Sequence, residues 1–333
     1  MDHPHESPSL TTSAGRLETG LLRDLVTLAE AAEGADGNPP FSDQTWVELR
    51  TTDDPDRVHT VTAWLDHQDG REGELAGAAV AISPAPDAGP EATGTLELVV
   101  HPNCRSQGVA TALARGITGR PGRPAPLNAW AHGNHAAAAR LAEQFGYAPV
   151  RELLRLRLTH QVSPEDEVVG SNRTSVWDGT MPEGITLRTF EPGVDDEALL
   201  AVNAASFADH PEQGSLDQDD LDARKAEPWF DPAGFFLAED ADGTLLGFHW
   251  TKIHPGADGH PPLGEVYVVG VGPEAQGRGL GRVLTVAGIR HLQQQDVEAV
   301  MLYVDADNTP AVELYRKLGF VRWDTDVMYA PRA

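Results

Sequence analysis

Three glycines at alternate positions, Gly277, Gly279 and Gly281, follow a run of small and β-branched residues, Val266 to Val271, and open a stretch with helical spacing. Such a turn leaves backbone N–H groups uncovered, because no Cβ blocks close approach, and sets them at the positive end of a helix dipole. That arrangement can hold a pyrophosphate. Arg278 and Arg282 add positive charge beside it. The spacing is neither the dinucleotide fingerprint nor a P-loop, since the glycines alternate and no Lys-Ser or Lys-Thr follows. A glycine-rich turn alone is equally compatible with tight packing.

The segment downstream narrows the choice. Asn308-Thr309-Pro310-Ala311-Val312-Glu313-Leu314-Tyr315 runs into Leu318-Gly319-Phe320. With Gln276-Gly277-Arg278-Gly279-Leu280-Gly281 before it, the sequence resembles the GCN5-related N-acetyltransferase (GNAT) superfamily. The acyl-CoA loop of that superfamily has the form Gln or Arg, two residues, Gly, one residue, Gly or Ala. The resemblance implies acetyl-CoA as co-substrate, no metal, and a direct transfer to an amine. It assigns Val269, Gly270 and Val271, the loop Gln276–Arg282, and Asn308–Glu313 to the cofactor.

The motif occurs twice. Arg105-Ser106-Gln107-Gly108-Val109-Ala110 falls on the second loop, with Pro102 on Pro273. By the same resemblance Leu98, Val99, Val100, Ser106, Gln107, Gly108, Val109, Ala110 and Thr111 are cofactor residues of a first domain. In this register Gly94 stands where Glu265 stands, and the helix Asn134 to Phe145 has no tyrosine where Tyr315 would be. The first half is therefore expected to be structural, or to bind cofactor without turning it over.

Direct transfer needs a neutral amine, an electrophilic thioester and a proton for the departing thiolate. An α-amino group has a pKa of about 8, so a carboxylate acting through water suffices as base. Glu265 ends the strand that leads to the loop, where the superfamily places a base. Backbone N–H groups near Val269–Val271 would polarise the thioester carbonyl. Tyr315 is the candidate acid, since a phenol of pKa about 10 can return a proton to a thiolate whose conjugate acid lies near 8.5. It also sits at helical spacing with Leu314 and Leu318, as a core residue would. Asn308 is placed either for the pantetheine amides or as an ordinary N-cap.

Within the superfamily, Phe207-Ala208-Asp209-His210-Pro211-Glu212, Gly247-Phe248-His249-Trp250-Thr251-Lys252 and Gly264-Glu265-Val266-Tyr267 resemble tandem members that acetylate the cysteinyl amine of a cysteine–glucosamine–inositol conjugate. That resemblance implies Asp43, Glu212, Lys252 and Glu265 as substrate residues. Tyr303, on the strand before Asn308, is a further substrate candidate, although its alternation with Leu302 and Val304 permits either side of the sheet. Another amine, such as a peptide N-terminus or an aminoglycoside, and a silent acyl-CoA sensor are the alternatives. His132 with His135, and His249 with His254, are read as ordinary histidines, because no Cys or carboxylate completes a metal set. Cys104 has no partnered His and is not read as a nucleophile.

These residues need elements to place them. Helical spacing covers Leu17 to Ala32, and Val58 to Leu65, Leu75 to Ile82 and Thr93 to Val100 read as strands. A helix from Gly108 to Thr118, a strand Leu127 to Ala131, a helix Asn134 to Phe145 and a strand Val150 to Leu158 complete a first domain, residues 15–160. Residues 1–14 read as a loose tail and 161–182 as a linker. The order then recurs over 183–333: strand Ile185 to Phe190, helix Asp195 to Phe207, a hairpin around Asp242-Gly243, strand Val266 to Val271, a helix to Gln295, strand Val300 to Val304, helix Thr309 to Leu318, and a strand from Val321. Asp217 to Asp222 reads as a helix start. The fold expected is α/β (α+β), two tandem GNAT-like domains, each a mixed, mostly antiparallel sheet flanked by helices, with the second catalytic.

Composition supports the same class. The 333 residues carry 25 Lys plus Arg against 51 Asp plus Glu, a net charge of -26, which argues against a nucleic-acid or anionic-membrane partner. A single cysteine cannot form an internal disulfide, and no run reaches membrane-spanning length. The N-terminus lacks the basic and apolar pattern of a secretory signal, so a cytoplasmic enzyme with a small-molecule substrate is expected.

Overall fold

The computed structural model describes residues 8–65, 73–85, 89, 92–119, 126–159, 181–208, 213–214, 216–256 and 261–332. In chain order the elements are β1 (Ser9–Ala14), α1 (Thr19–Asp36), α2 (Asp43–Thr51), β2 (Val58–Leu65), β3 (Glu74–Ile82), β4 (Gly94–Val100), α3 (Val109–Thr118), β5 (Leu127–Ala131), α4 (Ala136–Gln144) and β6 (Tyr147–Thr159). Then come β7 (Thr186–Thr189), α5 (Asp196–Ser206), α6 (Gln218–Lys225), β8 (Phe235–Glu239), β9 (Leu245–His254), β10 (Leu263–Val271), α7 (Leu280–Gln293), β11 (Ala299–Asp305), α8 (Thr309–Lys317) and β12 (Val321–Pro331). By contacts the chain forms two compact units: Met1–Leu153 with Asp324–Ala333, and Leu154–Trp323.

In the first unit the strands run β1-β2-β3-β4-β5 with the end of β12 beyond β5. Pairing is antiparallel except between β4 and β5. One face packs on α1 through Leu25, Leu28, Ala29 and Ala32, and the other on α3 through Val109, Leu113 and Ile117. In α3 those residues recur at helical spacing, so one stripe of the helix is apolar and must be covered. The second unit repeats the plan. Its strands run β7-β8-β9-β10-β11 with β6 beyond β11, again antiparallel at β7–β8, β8–β9 and β9–β10, and parallel at β10–β11. Phe190, Phe235, Phe248 and Trp250 fill one face with α5 and α6, and α7 and α8 cover the other.

Three differences from the sequence expectation have physical causes. Residues 9–14 are not a tail but an edge strand, paired with β2 from Ser9↔Trp64 to Ala14↔His59. Backbone pairing holds that strand, so its mostly exposed polar side chains carry no apolar alternation. Helix α2 was not expected, because its buried positions include Thr45 and Glu48 beside Leu49, which hides the period. The last ten residues join the first unit, since Val327–Tyr329 of β12 pairs with Ala131–Ala129 of β5. The expected linker, 161–182, lies almost wholly outside the described residues.

Candidate active site

The β10–β11 pair opens at Glu265. Their parallel ladder covers Leu263↔Ala299, Gly264↔Val300 and Glu265↔Met301, while β10 continues along β9 as far as Val271↔Gly247. The described β10–β11 ladder thus ends at Glu265, and past it the edge of β10 that faced β11 can present backbone N–H groups of Val269–Val271 to a ligand. A bulge between Val266 and Val268 accompanies the divergence.

Pairing also decides which side chains share a face. Lys252 lies opposite Glu265 on β9, and Met301 opposite Glu265 on β11, so Lys252, Glu265, Met301 and, two residues on, Tyr303 stand on one face of the sheet. Glu265 is 6% exposed, and its Oε2 lies 2.7 Å from His254 Nε2. The Lys252 ammonium sits 4.8 Å from the Trp229 ring centroid and 5.5 Å from that of Tyr267, a cation held by two π faces. Arg155, from β6, lies 5.7 Å from the Tyr303 ring and 4.2 Å from that of Trp323. Glu212 lies outside the described residues. Asp43 is exposed in the first turn of α2, in the first unit.

The opposite face carries Tyr315. It packs in a cluster with Val300, Leu302, Val304 and Phe320, edge-on to the Phe320 ring at 5.7 Å. Burial pushes its phenol up to about 12. Glu265 and Tyr315 therefore belong to opposite sides of the sheet, one on each side of the gap between β10 and β11. Asn308 caps α8, its Oδ1 accepting from Ala311 N at 3.2 Å. Thr309 and Pro310 are exposed behind it, and Ala311, Val312 and Glu313 are half-buried. Glu313 pairs with Arg316 at 2.9 Å.

Between β10 and α7 the loop has the form the glycines require. Gly277 and Gly279 have φ of +76° and +81°, a region that disfavours side chains, and a Cβ on either would meet nothing within 4 Å. Their outer surface is open, and the α7 N-terminus points its first N–H groups toward that opening. Gln276 Nε2 donates to Val271 O at 3.3 Å and ties the loop to the strand end. Arg278 and Arg282 are exposed beside it.

The first unit repeats this geometry with a different interior. Its β4–β5 ladder also covers three pairs, ending at Leu96↔Ala129. Arg105 Nε donates to Val100 O, as Gln276 does to Val271 O, and its guanidinium forms two 2.7 Å bonds to Asp36. Ser106 adopts φ +61° in the place of Gly277, and Gly108 +82° in that of Gly279. A cavity of about 670 Å³ opens here, lined among others by Leu98, Val99, Val100, Ser106, Gly108, Val109, Ala110, Thr111 and His132. Gln107 instead turns its amide back to Asn103 O.

Two corrections concern this interior. Gly77 pairs with Val100 and Gly247 with Val271, so five residues along, Ile82↔Thr95 matches Lys252↔Glu265. Thr95, not Gly94, is the counterpart of Glu265, because the bulge adds a residue to β10. Nor is the site stripped of ionisable groups. Glu97, two residues on, is 1% exposed and accepts from Ser42 N at 3.1 Å and 3.2 Å. His132 lies between it and Asp326, at 3.0 Å and 2.9 Å; burial lowers the imidazole pKa, but the hydrogen bonds the ring donates to these two carboxylates outweigh it and raise it to about 10. Carboxylates do flank His132, as an ionic hydrogen-bond network.

The remaining groups are structural. His249 is fully buried, with Nδ1 2.7 Å from Leu284 O, and burial drops it to about 4. Burial pushes the Cys104 thiol up, away from nucleophilic use. Among the described residues no group of three or more His, Cys, Asp or Glu is arranged to hold a metal ion, and no helix is long and apolar enough to cross a membrane.

Comparison with known proteins decides the family. The model of the acetyltransferase (GNAT) family matches twice, over residues 24–147 and 201–320. The chain belongs to the acetyltransferase (GNAT) family. It is 54% identical to a mycothiol acetyltransferase of Paenarthrobacter aurescens over 99% of this chain and 98% of that one. The mycothiol acetyltransferase of Salinispora arenicola is 46% identical, over 99% of each. Two solved structures share the fold: a GCN5-related N-acetyltransferase from Sphaerobacter thermophilus (24% identity, TM-score 0.63, 97% of this chain and 96% of that one) and a tandem GNAT protein from the clavulanic acid biosynthesis pathway (20% identity, TM-score 0.67, 97% and 98%).

The protein is thus an acetyl-CoA-dependent N-acetyltransferase with two tandem GNAT folds. The open loop of αL glycines before a helix, continuous with the strand that diverges from β11 after Glu265, fits a pyrophosphate and the arm that follows it. The sequence missed His254, Arg155, Trp229 and Tyr267, which reach the site by strand pairing or ring contact.

Proposed function

We propose that this protein transfers the acetyl group of acetyl-CoA to the cysteinyl amine of a cysteine–glucosamine–inositol conjugate, the last step of mycothiol biosynthesis. The observation that carries this reading is the divergence of β10 from β11 immediately after Glu265, with Lys252 and Tyr303 on the same face. The name and near full-length match of the mycothiol acetyltransferases support the choice of amine.

When bound, acetyl-CoA supplies an electrophilic thioester and a thiolate leaving group. The loop Gln276–Arg282 holds the pyrophosphate through its N–H groups, and Asn308, its Oδ1 committed to Ala311 N, offers its amide N–H groups to the pantetheine arm. Glu265 takes a proton from the acceptor amine, through water or directly. The N–H groups of Val269–Val271 steady the negative charge that develops on the carbonyl oxygen. Tyr315 stays a phenol across the physiological range and protonates the thiolate from the other side of the gap. Burial that raises the phenol also raises the basicity of a thiolate beside it. Lys252, Tyr303 and Glu212 bind the polyol. The first unit holds acetyl-CoA in its cavity without turning it over, because its carboxylate Glu97 is committed to His132 and Ser42.

An amine-panel assay tests this directly. The cysteinyl conjugate should be acetylated at least a hundredfold faster than a peptide N-terminus or an aminoglycoside. Turnover of those amines with none of the conjugate would contradict the assignment. Acetyl-CoA binding with no product from any amine would indicate a silent sensor.

A further inference from the structure

Acetylation of an ammonium by a thioester releases, in balance, an amide, a thiol and one proton. Of the two protons the nitrogen loses, one ends on the thiol and the other must reach bulk water. The base taking that second proton, Glu265, has only 8% of its side chain exposed, whereas the imidazole bonded to it, His254, has 35%. Their 2.7 Å separation is that of a strong hydrogen bond to an ionisable partner.

The strands fix this contact. Lys252 pairs with Glu265, and His254, two residues on, shares its face. The imidazole therefore reaches Glu265 diagonally from the outer end of β9, where the sheet meets solvent. Lys252, the other ionisable group on this stretch of β9, is held over the Trp229 and Tyr267 rings. Glu265 is the carboxylate that faces His254.

We infer that His254 is a positioning and proton-relay residue that carries the proton from Glu265 to solvent. This rests on the reading of Glu265 as the base. The proton taken by Glu265 passes from Oε2 to Nε2 of a neutral ring. The imidazolium so formed turns its Nε2–H edge to solvent, gives that proton to water and swings back in its starting tautomer, with the proton on Nδ1. Glu265 ends as the carboxylate, ready for the next amine.

The test uses the full-length enzyme with His254→Ala, with His254→Asn as the alternative should the alanine variant be unstable, and a series of small imidazoles as exogenous proton carriers. The relay predicts a fall of tenfold or more in kcat, with the KM for acetyl-CoA within twofold of native. It also predicts recovery by added imidazoles that grows with the pKa of the imidazole, which a purely structural role would not produce. A kcat within twofold of native, or a loss that no imidazole restores in a variant of native melting temperature, would overturn it. Glu265→Gln separates the two readings: it should be slow and insensitive to imidazole. Were it as fast as native, the base assignment itself would fail; were it slow while His254→Ala ran at the native rate, only the relay would fail.

Discussion

In the proposed mechanism Tyr315 serves packing and chemistry together. Its ring belongs to the apolar cluster under β11, and the burial that places it there raises the phenol to about 12. Tyr315→Phe keeps the ring and removes the hydroxyl, so we expect kcat to fall tenfold to a hundredfold with the melting temperature within a few degrees of native. The raised pKa also fixes the pH behaviour. The acid form persists until pH approaches 12, so the rate should show no alkaline decline from this group below about pH 11; stopped-flow thiol release across pH 7–10 checks both statements. At this scale the sequence was informative where spacing carries meaning. Glu265, Tyr315 and the loop glycines follow from motif positions. His254 and Arg155 do not, because each meets its partner across strands, and no local spacing encodes that pairing.

Elements were legible in proportion to their periodicity. The hairpin strands and α3, α7 and α8 alternate or recur cleanly and were expected within a few residues of their ends. The edge strand β1 and helix α2 carry polar residues at positions the pattern needs apolar, and were missed. The bulge in β10 was likewise invisible, and it moved the register between the halves by one residue, from Gly94 to Thr95. The ionic network of Glu97, His132 and Asp326 ties β4, the end of β5 and β12 together, and joins the start of α2 through Ser42. Its imidazole is raised from 6.5 to about 10 in the folded protein. Its contribution to stability is therefore complete below pH 6.5 and is lost as pH rises through 10, amounting to no more than about 5 kcal/mol. Urea midpoints of the native protein should fall over that window. His132→Gln should remove this pH dependence and cost about 3–5 kcal/mol at pH 7, because two carboxylates lose their common partner. A midpoint independent of pH from 6.5 to 10 in the native protein would deny the network its charge.

At the scale of the whole molecule the sequence is a duplication whose halves keep one plan and, in the function proposed here, part in chemistry. Both keep the open loop and the strand divergence, but in the first half the buried carboxylate is bound internally, while in the second Glu265 sits at the mouth of the split. A net charge of -26 makes the body as a whole a poor host for an anionic nucleotide. Binding thus depends on local N–H groups and on arginines close enough to outweigh distant, screened charge. What the sequence could not give is which carboxylates are committed, since that depends on Asp326 arriving from the far end of the chain. The most direct measurement compares release of CoA thiol from acetyl-CoA and the cysteinyl conjugate by Gly279→Val and Gly108→Val enzymes. Both glycines have φ near +80° and directly precede a helix. The Gly279 variant should lose a hundredfold or more in rate, and the Gly108 variant should stay within about threefold of native. A folded Gly108→Val enzyme without activity, beside an active Gly279→Val enzyme, would place the reaction in the wrong half.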